Sequence, residues 1–129
     1  MTGAGPQPAV RRGDAQAERL TAERCYITEL SNHDGDEAVS IARARVAPGV
    51  TTRWHRLRDI AERYVIVSGH GTVEVEGLPA LRVARDDVVL IPAGHRQRIR
   101  NDGEQDLIFL AICTPRFRWD AYEDVDPAS

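Results

Sequence analysis

Gly49-Val-Thr-Thr-Arg-Trp-His55-Arg-Leu57-Arg-Asp-Ile-Ala-Glu62-Arg-Tyr64-Val-Ile-Val-Ser-Gly69 decides how the rest of the chain is read. Side chains alternate across a strand. A strand over Thr51 to Leu57 therefore puts Arg53, His55 and Leu57 on one face, with Trp54 and Arg56 on the other. After a short link, Glu62, Tyr64 and Ile66 share a face of the next strand. A hairpin this tight brings His55 and Glu62 together across the pair.

Downstream, Asp86-Asp-Val-Val-Leu-Ile-Pro92-Ala-Gly94-His95-Arg-Gln97-Arg-Ile-Arg-Asn101 predicts a strand with His95, Gln97 and Ile99 on one face. Arg96, Arg98 and Arg100 then form a solvated stripe on the other, facing Glu74 and Glu76. Outward from these stretches the same texture continues from Arg24 to Thr114: short alternating or β-branched segments separated by Gly, Pro, Asn and Asp. Such spacing argues for an all-β sandwich or barrel rather than a βαβ fold. Residues 1–23 have no sustained period and read as a loose arm, 24–115 as the barrel, and 116–129 as a tail. Phe117, Trp119 and Tyr122 of that tail are expected to pack back on the barrel.

The first stretch resembles the first motif of the cupin superfamily: Gly, five residues, His, one residue, His, three or four residues, Glu, six residues, Gly. Gly49, His55, Glu62 and Gly69 match, and Leu57 stands where the second His belongs. The second stretch resembles the partner motif, in which Gly, Pro, Gly, His and Asn recur. Pro92, Gly94 and Asn101 match, Asp86 replaces the opening Gly, and Gln97 replaces the His. The resemblance implies a single-domain, all-β, cupin-type jelly-roll β-barrel, often dimeric, with a metal held inside.

Carried over by position, the resemblance makes His55, Glu62 and Gln97 the metal-ligand candidates for a weakly held or abandoned divalent ion. Leu57 has no donor atom, and an amide oxygen is a poorer ligand than imidazole for Zn, Fe or Ni. His95 is the nearby imidazole that could enlarge the set. The same residues suit metal-free acid–base work, or a satisfied hydrogen-bonded trio without chemistry. Beside them, Arg53 is a candidate anchor for an anionic substrate and Tyr64 a hydrogen-bond donor, giving His55, Glu62, Tyr64 and Arg53 as catalytic candidates. Arg53 paired with an acidic loop residue is the alternative. The functional expectation is an enzyme of lyase, isomerase or cyclase type with a small-molecule site, or else a non-catalytic metabolite-binding module.

Composition narrows the partners. The 17 basic residues are all Arg, so lysine Schiff-base chemistry is excluded. A net charge of -3 gives no reason to expect nucleic acid or an anionic membrane. Cys25 and Cys113 are too few for a disulfide scaffold or a thiolate zinc site and read as buried thiols. The N-terminal residues lack the apolar run of a signal peptide, so a cytoplasmic location is expected, and a homodimer is the expected assembly.

Overall fold

The computed structural model describes residues 5–127. Residues 1–4 of the arm and 128–129 of the tail lie outside it. The strands are β1 (Arg19–Leu20), β2 (Tyr26–Ser31), β3 (Ser40–Val46), β4 (His55–Leu57), β5 (Ala61–Ser68), β6 (His70–Val75), β7 (Leu81–Ala84), β8 (Val88–Ile91), β9 (Gln97–Asn101), β10 (Leu107–Thr114) and β11 (Tyr122–Asp124). One sheet runs β1-β2-β3-β10-β5-β8 and the other β11-β4-β9-β6-β7, all neighbours antiparallel. No described helix is long and apolar enough to cross a membrane.

Alternation builds the wall. Along β10 burial alternates strictly, with Leu107, Phe109, Ala111 and Cys113 buried. In β5 the buried set is Glu62, Tyr64 and Ile66. Val46, Ile66, Val73, Val75, Val83, Val89, Ile91, Ile99 and Leu107 belong to a packed apolar core. A smaller buried cluster gathers Leu57, Ile60, Cys113 and Ala121.

The motif positions outside the site have structural reasons. Gly69 turns β5 into β6 at φ +79°, and a Cβ there would lie 2.6 Å from the Asp106 carbonyl oxygen. Asn101 ties loops together: its Nδ2 donates to the Val46 and Gln105 carbonyls, both at 2.8 Å, and its Oδ1 accepts from the Gly103 amide at 2.8 Å. Asp86, where the motif opens with Gly, holds φ 74°, a conformation that Asp tolerates better than most residues. The arginine stripe faces outward as its alternation predicts, with Arg98 donating to Glu74 at 2.7 Å and lying over the Trp54 ring.

Two expected strands begin later than the sequence suggests. Residues 51–54 make one bridge, Thr51 to Arg100, and strand pairing resumes at His55. His95 precedes β9 and lines a different recess, beside Val75, Glu76, Leu78 and Pro92. It does not enlarge the His55 site.

Candidate active site

The hollow end of the barrel is a cavity of about 290 Å³. β4 and β5 deliver His55, Leu57, Glu62 and Tyr64 to it; β10 delivers Phe109, Ala111 and Cys113. Both chain ends complete it. Thr21, Glu23 and Cys25 line it from the N-terminal side, and Phe117, Trp119 and Tyr122 from the C-terminal side.

His55 is buried, and its Nδ1 lies 2.8 Å from the Arg53 carbonyl oxygen. A carbonyl only accepts, so Nδ1 carries a proton and a neutral ring has its lone pair on Nε2. That Nε2 is 3.6 Å from a carboxylate oxygen of Glu23. Burial raises the Glu23 carboxyl above its usual range, and the nearby imidazole opposes the rise. Glu23 reaches this place on a tight turn in which the Thr21 amide donates to the Cys25 carbonyl. The Glu23 carbonyl in turn accepts from the Arg53 amide at 3.2 Å. No motif marks this residue in the sequence.

Opposite stands a buried chain of side chains. Tyr64 hydroxyl donates to Gln97 Oε1, and Gln97 Nε2 donates to Glu62 Oε1 at 3.0 Å. Register explains the meeting: His55 pairs with Gln97 across β4 and β9, and Glu62 with Cys113 across β5 and β10. Burial lifts the Glu62 carboxyl to about 7, opposed by His55 and by the Gln97 and Cys113 hydrogen bonds. Tyr64 is pushed well above the usual phenol range by burial and by the acids, so it stays neutral.

These contacts revise the roles expected for the site residues. Arg53, expected as an anchor or else paired with an acid, has its guanidinium held by Asp124 at 2.6 Å, and its carbonyl is the part that touches His55. Tyr64 lines the cavity, and its hydroxyl is engaged in donating to Gln97. Gln97 has its oxygen and one N–H engaged, which leaves its amide poorly disposed to ligate an ion. Leu57 fills the second imidazole position and is buried. Among the described residues no three His, Cys, Asp or Glu are grouped to hold a metal. The donor set therefore does not fit the metal that the resemblance implies. What the arrangement offers is one oriented imidazole, one buried carboxyl and one half-buried carboxyl around an apolar hollow.

Known proteins resemble the chain in the following ways. The endoribonuclease YbeY of Myxococcus xanthus (strain DK1622) is 32% identical over 82 residues, which are 64% of this chain. The match takes up 27% of that longer protein. A predicted oxalate decarboxylase of Thermotoga maritima superposes with TM-score 0.73 at 23% identity, covering 83% of this chain and 99% of that one. The nucleoside dehydratase Pac13, from Streptomyces, superposes with TM-score 0.74 at 14% identity, covering 92% of both chains. KdgF from Halomonas sp. does so with TM-score 0.73 at 16% identity, covering 87% of this chain and 98% of its own. These three likenesses establish a shared fold. The cupin domain model matches residues 42–113, which hold both motifs, most of the barrel wall and the His55–Glu62–Gln97 positions, and so this chain belongs to the cupin domain family.

Proposed function

We propose that the cavity is the active site of a metal-independent acid–base enzyme acting on a small organic molecule, of lyase, isomerase or cyclase type. The observation that carries this reading is the fixed tautomer of His55. With Nδ1 committed to the Arg53 carbonyl, Nε2 is the basic atom, and it faces the cavity beside Glu23.

Nε2 takes a proton from carbon or oxygen of the bound molecule, and the Glu23 carboxylate stabilises the imidazolium that forms. Glu62, with its carboxyl at about 7, delivers a proton on the other side. If the proton goes to a departing hydroxyl, the C–O bond breaks and water leaves. If it goes to another carbon, the double bond moves. The nucleoside dehydratase of the same fold indicates that such a barrel can host loss of water.

The test is solvent-deuterium exchange, followed by mass spectrometry, on a panel of hydroxy-carbonyl compounds in the presence of a chelator. Exchange or water loss that persists in chelator and falls by about 100-fold or more in His55→Gln is the expected result. Tight binding with no exchange would make the chain a non-catalytic metabolite-binding cupin. Activity lost in chelator and restored by a divalent ion would overturn the metal-independent reading.

A further inference from the structure

Tyr122 has no part in the chemistry above, yet its hydroxyl is buried with no hydrogen-bond partner among the described residues. Such a group is costly to leave unmade, and native proteins leave few without a reason. Its ring is held by two aromatic neighbours. It stacks on His55 with centroids 5.2 Å apart and planes at 21°. Trp119 meets it edge-on at 5.2 Å, and Phe117 meets Trp119 at 4.9 Å. The backbone is equally fixed: β11 pairs Tyr122 with Leu57 and Asp124 with His55, while Asp124 accepts from Arg53.

All four rings line the cavity, so one side of it is a wall of π faces and edges. The carboxyls of the lining are Glu23, Glu62 and, toward solvent, Glu29, and its further hydroxyls are those of Thr21, Ser40, Thr52 and Tyr64. The Arg19 side chain at the lining donates to the Gln16 and Glu18 carbonyls. An anion entering here meets carboxyls, while the Arg19 guanidinium has its Nη1 turned to those main-chain carbonyls. An uncharged flat ring meets aromatic surface and an imidazole, with the unpartnered Tyr122 hydroxyl buried just beneath that surface.

We propose that Tyr122 is the oxygen anchor of this site: its phenol donates to a hydroxyl or carbonyl oxygen of an uncharged, planar-ring substrate, and the cavity rejects carboxylate or phosphate counterparts of the same ring. The assignment as substrate rests on the acid–base reading of the cavity; the anchoring of an oxygen does not. Burial also holds the Tyr122 phenol above its ordinary range, so it stays protonated and able to donate.

The test uses the full chain and a panel of ring fragments in matched pairs: amide against carboxylate, phenol against phenyl phosphate, nucleoside against its monophosphate. Binding is read by titration calorimetry and by ligand-observed NMR on the wild type, Tyr122→Phe and His55→Gln. Uncharged members are expected to bind in preference to their anionic partners. Tyr122→Phe should weaken their binding roughly tenfold, the loss of one hydrogen bond, while leaving a purely hydrocarbon ring unaffected. The ligand-free variant should melt no lower than wild type, because it loses an orphaned hydroxyl rather than a bond. Anionic members binding as well, no uncharged member binding, or Tyr122→Phe leaving affinities unchanged would each overturn the proposal. Tyr122-dependent binding without turnover would sink the catalytic reading alone. Turnover that depends on His55 but not on Tyr122 would sink this one alone.

Discussion

Glu62 is an acid surrounded by groups that cannot hydrate it, and the consequence for stability has a definite sign. Its carboxyl titrates at about 7 in the folded chain against 4.5 ordinarily. Between those values the folded state holds a proton that the unfolded state has released, so stability falls as pH rises from about 4.5 through 7. The half-buried Glu23 shifts in the same direction, whereas the acids lowered by partners, such as Asp124 and Asp102, sit near solvent and count for less. The upper bound from Glu62 is about 3 kcal/mol. Glu62→Gln keeps shape and a hydrogen-bonding oxygen for Gln97. Urea titrations from pH 5 to pH 8 should show a declining wild-type stability and a flatter profile for the variant, with the variant the more stable at the alkaline end. A wild-type profile that is flat or rises would show that Glu62 ionises freely in the fold.

At the scale of elements, period-two patterning made most strands readable, because one face of each sheet is buried and a slip of one residue would reverse it. His55, Glu62 and Gln97 were legible because motif spacing fixes their register: His55 lies opposite Gln97 across β4 and β9. Glu23 and the role of Tyr122 were not legible. Glu23 reaches His55 across more than thirty positions through a turn whose place depends on Arg53, and nothing local in Thr21-Ala22-Glu23-Arg24 encodes that closure. Arg53 misled for a related reason: the strand that would have aimed it inward does not form before His55. Gly71 offers the sharpest test of the element packing. A Cβ there would lie 2.3 Å from the Arg100 carbonyl oxygen and 2.9 Å from a Leu107 methyl, and Arg100 is locked in the β6–β9 ladder. Gly71→Ala should cost about 3 kcal/mol or more. Gly77→Ala, at φ +94° with nothing within 4 Å, should cost about 1 kcal/mol from backbone strain alone. Equal losses in urea titration would mean that β6 and β9 are not packed this closely.

For the whole molecule, the barrel sets positions and the side chains at those positions set the chemistry. Glu62 and His55 come from different sheets, so their approach is a property of how the two sheets close rather than of either strand. Most of that closure rests on the large apolar core and on ties such as Asn101 to Val46, to which Leu57 adds a smaller cluster with Ile60 and Cys113, and Gln97 its bonds to Tyr64 and Glu62. The scaffold should therefore retain the geometry of a metal cupin even though its donors have been replaced. Leu57→His together with Gln97→His returns two imidazoles to positions that already flank His55 and Glu62. The exchange removes the Gln97 bonds to Tyr64 and Glu62, so some stability is lost, and an ion binding only the folded state restores it by mass action. Stoichiometric cobalt uptake with a tetrahedral or five-coordinate absorption band, and a melting temperature that rises with cobalt, is the expected outcome. The wild type under the same conditions should show neither. Failure of a folded double variant to take up cobalt would mean that the sheets close at a different spacing around this cavity, and that divergence from the metal cupins extends beyond the two substituted ligands.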